Sequence, residues 1–296
     1  KRSMSSAKGL AYELLDVFAE APFQGNPVAV VFGAARLASD EMQAIARETN
    51  LSETTFVLHD APRAGAFDVR IFTPGAELPY AGHPTLGTAA AIRARLDGCA
   101  GLDQLELALG IGRVPVRFAS DGLAWLESPR ARFEPCSARE AAAAALGLPE
   151  SALDPELPVE IQATGHHQLF VPLRERAALD AARIDAAAYD ALGAGGGPRS
   201  LYAFARGARD PRNHFSVRLF APAVGVPEDP ATGSAAGFFG AWLLRHRVLG
   251  DGPLDVRLEQ GHAVRRPSLL RVRARGRDAA VEVGGRVIPV ARGEWL

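Results

Sequence analysis

The sequence predicts an α+β protein of two similar domains, each built on a repeat of strand, strand, turn and helix. Three observations lead there. At 296 residues the chain has the length of about two ordinary domains, each able to bury its own core. Phe67-Asp68-Val69-Arg70-Ile71-Phe72-Thr73-Pro74 returns as Phe215-Ser216-Val217-Arg218-Leu219-Phe220-Ala221-Pro222, with five identities in eight positions, 148 residues later. After each copy comes a small-residue run, Gly87-Thr88-Ala89-Ala90 and then Gly233-Ser234-Ala235-Ala236, at an offset of 146. A loop between strand and helix absorbs the two-residue difference. An offset near half the chain length implies a duplication about a pseudo-twofold axis, with a cleft between the halves.

Residue type justifies each element. Thr54 to Leu58 and Phe67 to Phe72 are rich in β-branched and aromatic residues and read as strands, the second alternating in polarity. Pro84 to Leu96 is Ala-rich, with Pro84 where a first helical turn tolerates it, and reads as a helix buried on most sides. The second copy of that helix runs from about Ala231 to His246. Ser39 to Asn50 reads as an amphipathic helix capped by Ser39, with Asp40 and Glu41 in its first turn. Ser137 to Leu146 reads as another, capped by Ser137 and stopped at Gly147, and short strands fill Asp255 to Val290. With no long linker, the hinge falls near Ser128 to Glu134. The domains are then 10–128, completed by a C-terminal strand over 283–296, and 129–282.

Composition removes several functional classes. Lys plus Arg number 33 against 34 Asp plus Glu, a net charge of −1 that supplies no basic footprint for nucleic acid. No window approaches the roughly 18 apolar residues of a bilayer span, so no membrane partner is expected. Cys99 and Cys136 make neither a disulfide framework nor a four-ligand zinc site, which suits a reduced, cytoplasmic setting without a metal. Lys1 to Lys8 is polar, lacks the apolar stretch of a signal peptide, and reads as a processed tail. His166 and His167 are adjacent and would point to opposite faces of a strand, so they do not chelate one metal. Gly193 to Gly197 has no P-loop Lys and reads as a loop.

The helix starts after the repeated strands are the natural lining of a cleft, because their N–H groups favour an anion. The first reads Tyr80-Ala81-Gly82-His83-Pro84-Thr85 and the second Glu228-Asp229-Pro230-Ala231-Thr232-Gly233-Ser234. Gly82 and Gly233 allow close backbone approach to a ligand. At the 146-residue offset His83 lies over Asp229, although Asp229 alone also reads as a helix cap. Glu53 is the most informative residue, since its counterpart at the repeat offset is the apolar Leu201. An acid entering an apolar strand there is expected to have a raised pKa and, beside a His and an Asp, to transfer protons.

Gly25-Asn26-Pro27, Asn50-Leu51-Ser52-Glu53-Thr54, Phe72-Thr73-Pro74, Gly82-His83-Pro84-Thr85, Glu228 to Ser234, and Glu259-Gln260-Gly261 with Arg266-Pro267-Ser268 resemble the successive signatures of the phenazine-biosynthesis PhzF family. The resemblance runs in order from about Asp16 to Ser268. It implies the diaminopimelate-epimerase-like fold, in which each domain wraps a β-sheet around a central helix, together with a homodimer and cofactor-free chemistry. It further implies an isomerase that moves a proton between ring carbons of a small carboxylate substrate, as in trans-2,3-dihydro-3-hydroxyanthranilate. By the same resemblance Glu53 is the acid/base, His83 and Asp229 bind and polarise the substrate, and Gly82 and Ser234 contact it from the helix starts.

Racemases of that fold place a cysteine at each helix start, and neither start here contains one, so two-thiol racemisation is excluded and Cys99 and Cys136 read as inert. Two alternatives stay open from sequence: an amino-acid epimerase with Glu53 as its single base, and a non-catalytic binding protein that retains the fold. The resemblance would bring Gln260 and His262 toward the cleft, but a surface turn is their simpler reading.

Overall fold

The computed structural model describes residues 9–165 and 167–295; the tail Lys1 to Lys8 and His166 lie outside the described residues. The chain divides into two compact units. One is formed by the chain up to Glu127 together with the segment from Gly284 onward, and the other by Ser128–Val283. No helix among the described residues is long and apolar enough to cross a membrane.

In the first unit the elements are β1 (Ala11–Val17), β2 (Asn26–Val31), α1 (Ser39–Thr49), β3 (Glu53–Val57), β4 (Phe67–Phe72), β5 (Glu77–Leu78), α2 (Gly82–Arg95), β6 (Gln104–Leu109), β7 (Gly112–Phe118) and β8 (Ala124–Glu127). Strand β2 runs antiparallel to β1 and parallel to β3, β3 antiparallel to β4, β4 parallel to β6, and β6 antiparallel to β7. Helix α2 touches β1, β2, β3, β6, β7 and β8, so the sheet curls around it. Its Leu86, Gly87, Thr88, Ala89, Ala91 and Ile92 are fully buried. Small residues are needed there: a Cβ on Gly87 would sit 2.5 Å from Val28. The outer face of the sheet is closed by α1, whose Met42, Ile45 and Ala46 pack with Val31, Phe56 and Phe72.

The second unit repeats this order. Its elements are β9 (Phe133–Pro135), α3 (Arg139–Ala145), β10 (Glu160–Gln162), β11 (Gln168–Leu173), α4 (Arg176–Ala181), α5 (Ala186–Gly193), β12 (Ser200–Arg206), β13 (Phe215–Ala221), β14 (Val226–Asp229), α6 (Gly233–Arg245), β15 (Leu254–Gln260) and β16 (Ser268–Ala274). Strand β11 is antiparallel to β10 and parallel to β12, β12 antiparallel to β13, β13 parallel to β15, and β15 antiparallel to β16. Here the wrapped helix is α6, and Phe239 on it meets the rings of Phe170, Tyr202, Phe204 and Phe215 from three successive strands. Helices α3, α4 and α5 cover the other face with Leu169, Val171, Leu201 and Ala203. The chain then passes through β17 (Glu282–Gly285) to β18 (Val287–Glu294), which pairs antiparallel with β1.

The duplication is present, but its register differs from the sequence offset. Phe72 and Phe220 are matched positions of the repeat, and they pair with Thr54 and Leu201 respectively. Thr54 therefore corresponds to Leu201, and Glu53 to Ser200 rather than to Leu201. Side chains alternate across a strand, so a one-residue error moves a residue to the other face. Leu201 indeed belongs to the outer core of its unit, whereas Glu53 shares the α2 face with Thr55, whose hydroxyl meets that of Thr88 on α2 at 2.7 Å.

The helix starts are offset too. Helix α2 begins at Gly82 and α6 at Gly233, 151 residues apart, so His83 corresponds to Ser234, and Asp229 ends β14 four residues before its helix. The short strands β5 and β14, unequal in length and unseen in the sequence, account for the change.

Caps differ in the same local way. Helix α1 is capped from Ala38, whose N–H donates to Glu41 Oε2 at 2.8 Å, while Ser39 Oγ is the first-turn acceptor of Arg70. Helix α3 begins at Arg139 instead of Ser137 and, as expected, ends before Gly147, whose φ is +66°. Gly193 closes α5, and the glycine run continues as a single 3-10 turn over Ala194–Gly196.

Candidate active site

In the first unit three chain segments meet. Strands β2 and β3 run side by side with Val28 opposite Glu53, and the first turn of α2 brings in His83. The sequence around Glu53 fixes its direction. The hydroxyl of Thr54 meets that of Thr49 at the end of α1 at 2.7 Å, and the hydroxyl of Thr55 meets Thr88 on the opposite side. Glu53 is thus held at the head of β3 between two pins and faces α2.

His83 is almost completely buried, and its ring is hydrogen-bonded to the backbone of Pro27. Proline has no N–H, so its carbonyl accepts and the ring nitrogen must donate. Nε2 makes no hydrogen bond, so the donor is Nδ1. The tautomer follows: Nδ1 carries the hydrogen and Nε2 keeps a lone pair. Nε2 lies 3.4 Å from Glu53 Oε2, and the Glu53 side chain is only 15% exposed. Burial, partly opposed by the Pro27 bond, pushes the His83 pKa down to about 3, so the ring is neutral near pH 7. With the ring neutral, the contact with Glu53 is not an ion pair.

The Gly-Asn-Pro segment explains how Pro27 reaches this place. Gly25 has φ of +68°, and a Cβ there would lie 2.2 Å from the Val17 carbonyl oxygen, so only glycine lets the turn fold back onto β1. Asn26 then enters β2 fully buried, with Pro27 next in line.

The depressed pKa has a measurable consequence. Between about pH 3 and 6.5 the unfolded chain holds a proton on His83 that the folded chain refuses, so stability falls as pH falls through that window. We expect His83→Gln to remove a slope of about 1.4 kcal/mol per pH unit, seen as urea-unfolding free energies at pH 5 and 7 that differ less in the variant than in the parent.

In the second unit, Asp229 is buried at the end of β14, three residues before Thr232, whose hydroxyl donates to Asp229 Oδ2. The alternation of β14 sends the preceding Glu228 to the other face, where Arg218 grips it through two bonds of 2.9 and 2.7 Å. Glu228 is thus an anchor of the strand. Gly233 is buried and Ser234 half-buried in the first turn of α6. The first N–H groups of both α2 and α6 precede the i→i−4 ladder, the arrangement that favours an anionic oxygen.

Gln260 is not part of a surface turn, the simpler reading of its sequence. It is 1% exposed at the end of β15 and binds the loop carrying Asp229 from below. No local spacing signals a side-chain amide that bonds distant backbone; the Gln-Gly pair, with Gly261 at φ +78°, was the one trace. His262 lies apart from that contact, with Nε2 3.3 Å from Glu259. Burial opposes ionisation of Glu259, but Asn213 and the N–H groups of Asp210 and Arg209 prevail and hold its pKa below the usual value. Glu259 thus ties down the 209–213 loop, accepting from the Arg209 and Asp210 N–H groups and from Asn213 Nδ2.

No group of three or more metal-ligating side chains occurs among the described residues. Cys99 is buried just past α2, and Cys136 packs against the outer core of the second unit; both are free thiols remote in sequence from the helix starts. A surface cavity of about 750 Å³ in the first unit is lined by Glu13, Arg36, Arg95 and Arg292 among others, but not by Glu53 or His83. Its charges are in part paired internally, as Arg95 is with Glu13 at 3.3 Å.

Comparison with known proteins agrees with the motifs. The family model described as "Phenazine biosynthesis-like protein" matches residues 15–293. The trans-2,3-dihydro-3-hydroxyanthranilate isomerase of Pseudomonas aeruginosa is 40% identical over 289 residues, covering 95% of this chain and 98% of that one. The crystal structure of the Bacillus anthracis PhzF-family phenazine biosynthesis protein matches with a TM-score of 0.88 at 25% identity, over 98% of this chain and 99% of that one. A probable proline racemase from Agrobacterium radiobacter K84 shares the fold alone, with a TM-score of 0.58 at 11% identity over 97% and 93% of the two chains. The chain belongs to the PhzC-PhzF family of phenazine-biosynthesis-like proteins and is an isomerase.

Proposed function

We propose that the protein moves a proton between two carbons of a small, carboxylate-bearing ring, of the kind found in trans-2,3-dihydro-3-hydroxyanthranilate, with Glu53 as the one acid/base. The Glu53 carboxylate takes a proton from the substrate C–H, and the electron pair left behind spreads into the conjugated system of the ring. Glu53, now a carboxylic acid, returns the same proton at the second carbon and is a carboxylate again. Atoms and charge balance without an added cofactor.

The observation that carries this reading is the Glu53–His83 pair. Because Pro27 holds the Nδ1 hydrogen, Nε2 of His83 accepts the hydrogen of the Glu53 acid while the proton is in transit. An imidazolium at that place would instead keep Glu53 ionised and oppose its protonation. Asp229 and the N–H groups of Gly82, Gly233 and Ser234 are assigned to the polar groups of the substrate. Preorganised donors of this kind stabilise charge that develops in the transition state.

The direct test is to incubate the purified protein with trans-2,3-dihydro-3-hydroxyanthranilate, after exhaustive dialysis against chelator, and follow its proton spectrum. Loss of one ring C–H signal with gain at another ring carbon is expected, and an unchanged spectrum contradicts the substrate assignment. We place the protein in a reducing cytoplasm, where its two free thiols persist. We also propose a homodimer, as the family implies, for which sedimentation should give about twice the 31.3 kDa chain mass.

A further inference from the structure

The geometry points to Gln260 as a positioning residue for Asp229, acting by fixing the direction of a hydrogen-bond chain that runs from Gln260 through Thr232 to Asp229. The inference rests on the functional reading above, in which Asp229 meets the substrate, and assigns a residue that this reading leaves out.

The orientation of the Gln260 amide is dictated by its partners. The N–H of Thr232 can only donate, and it points to Gln260 Oε1 at 3.2 Å. The backbone carbonyl of Asp229 can only accept, and it receives Gln260 Nε2 at 2.8 Å. With both ends fixed, the second hydrogen of Nε2 is donated to Thr232 Oγ1 at 3.1 Å. The hydroxyl is thereby occupied as an acceptor on the amide side, and its own hydrogen goes to Asp229 Oδ2. A fully buried amide thus polarises the hydroxyl toward the carboxylate, and linked hydrogen bonds of this kind strengthen one another.

The bond to Oδ2 fixes the direction in which the Asp229 carboxylate is presented. The same amide holds Thr232 as the cap of α6, since the Ala236 N–H bonds to the Thr232 carbonyl at 3.0 Å. Gly261 completes the mount. A Cβ there would lie 2.5 Å from the Pro230 carbonyl oxygen, so the loop carrying Asp229 packs against the strand end at glycine distance.

The experiment compares the full-length parent with Gln260→Glu, Thr232→Val and the double variant, using trans-2,3-dihydro-3-hydroxyanthranilate. Glu at 260 still accepts from the Thr232 N–H but cannot donate, so the hydroxyl turns away from Asp229. Each single variant should lower kcat about tenfold or more, as expected for losing a hydrogen bond to a charged group. The double variant should be no worse than the poorer single one, because both changes cut one chain. A purely structural role would lower thermal stability without this non-additivity. Parental kcat in folded Gln260→Glu, or losses that multiply in the double variant, overturns the proposal. If Gln260→Glu fails to fold, Thr232→Val decides, and parental kcat there overturns it equally. Glu53→Gln is run alongside: its inactivity upholds the functional reading whatever Gln260 does, and full activity sinks that reading instead.

Discussion

Glu53→Gln should lower the rate of isomerisation by roughly 10²–10⁴ while leaving the fold intact, the range for losing a positioned acid/base. The substitution is close to isosteric, and the two hydroxyl pairs that hold β3, Thr49 with Thr54 and Thr55 with Thr88, do not involve the Glu53 side chain. Gln can occupy the place opposite His83 Nε2, and its amide can even donate to it, so the variant tests proton transfer and not packing. Circular dichroism should match the parent, substrate affinity should change little, and turnover should fall. A loss of folding with the loss of activity would remove the distinction, and the pinned geometry argues against it.

Glu228→Ala should be the most destabilising single change considered, by about 3–5 kcal/mol. Arg218 and Glu228 are both nearly buried, and the guanidinium also donates to the carbonyls of Leu179 and Ala182 at 2.8 Å each. Removing the carboxylate leaves a buried charge with only neutral acceptors. Because Glu228 precedes Asp229 on β14, the same change should loosen the Asp229 loop and lower activity along with stability. Chemical denaturation of Glu228→Ala and Glu228→Gln separates the two contributions, since Gln keeps an acceptor for Arg218 and should cost much less.

Much of this was legible in the sequence because it depends on local residue type. The repeated Phe-x-Val-Arg strand, the small-residue helix α2 and the two helix starts all follow from patterns of size and polarity. Glu53 was found as an acid in an apolar setting. The details that failed are those set by pairing rather than by type. A constant offset registers neither the β12–β13 connection, one residue longer than that of β3–β4, nor the unequal strands β5 and β14, and so it matched Glu53 to Leu201 and His83 to Asp229, one residue and one loop away from the true partners. The tautomer of His83 depends on the carbonyl of Pro27, 56 residues earlier, and the direction of the Thr232 hydroxyl depends on Gln260, 28 residues later. Side-chain bonds to distant backbone leave no spacing to read.

The pairing also accounts for the placement of each motif. Gly25 admits the turn, Pro27 supplies a carbonyl without a competing N–H, and His83 becomes a neutral acceptor beside Glu53. One carboxyl group can then hold a proton between its removal and its return.

That claim is tested most directly by following the transferred hydrogen. Trans-2,3-dihydro-3-hydroxyanthranilate carrying deuterium at the carbon that loses its hydrogen is mixed with parent or Glu53→Gln in H₂O, and the label is followed by deuterium NMR. The account predicts that the parent moves the deuterium to the second ring carbon and that Glu53→Gln moves none above the uncatalysed rate; transfer by the variant as fast as by the parent would contradict it.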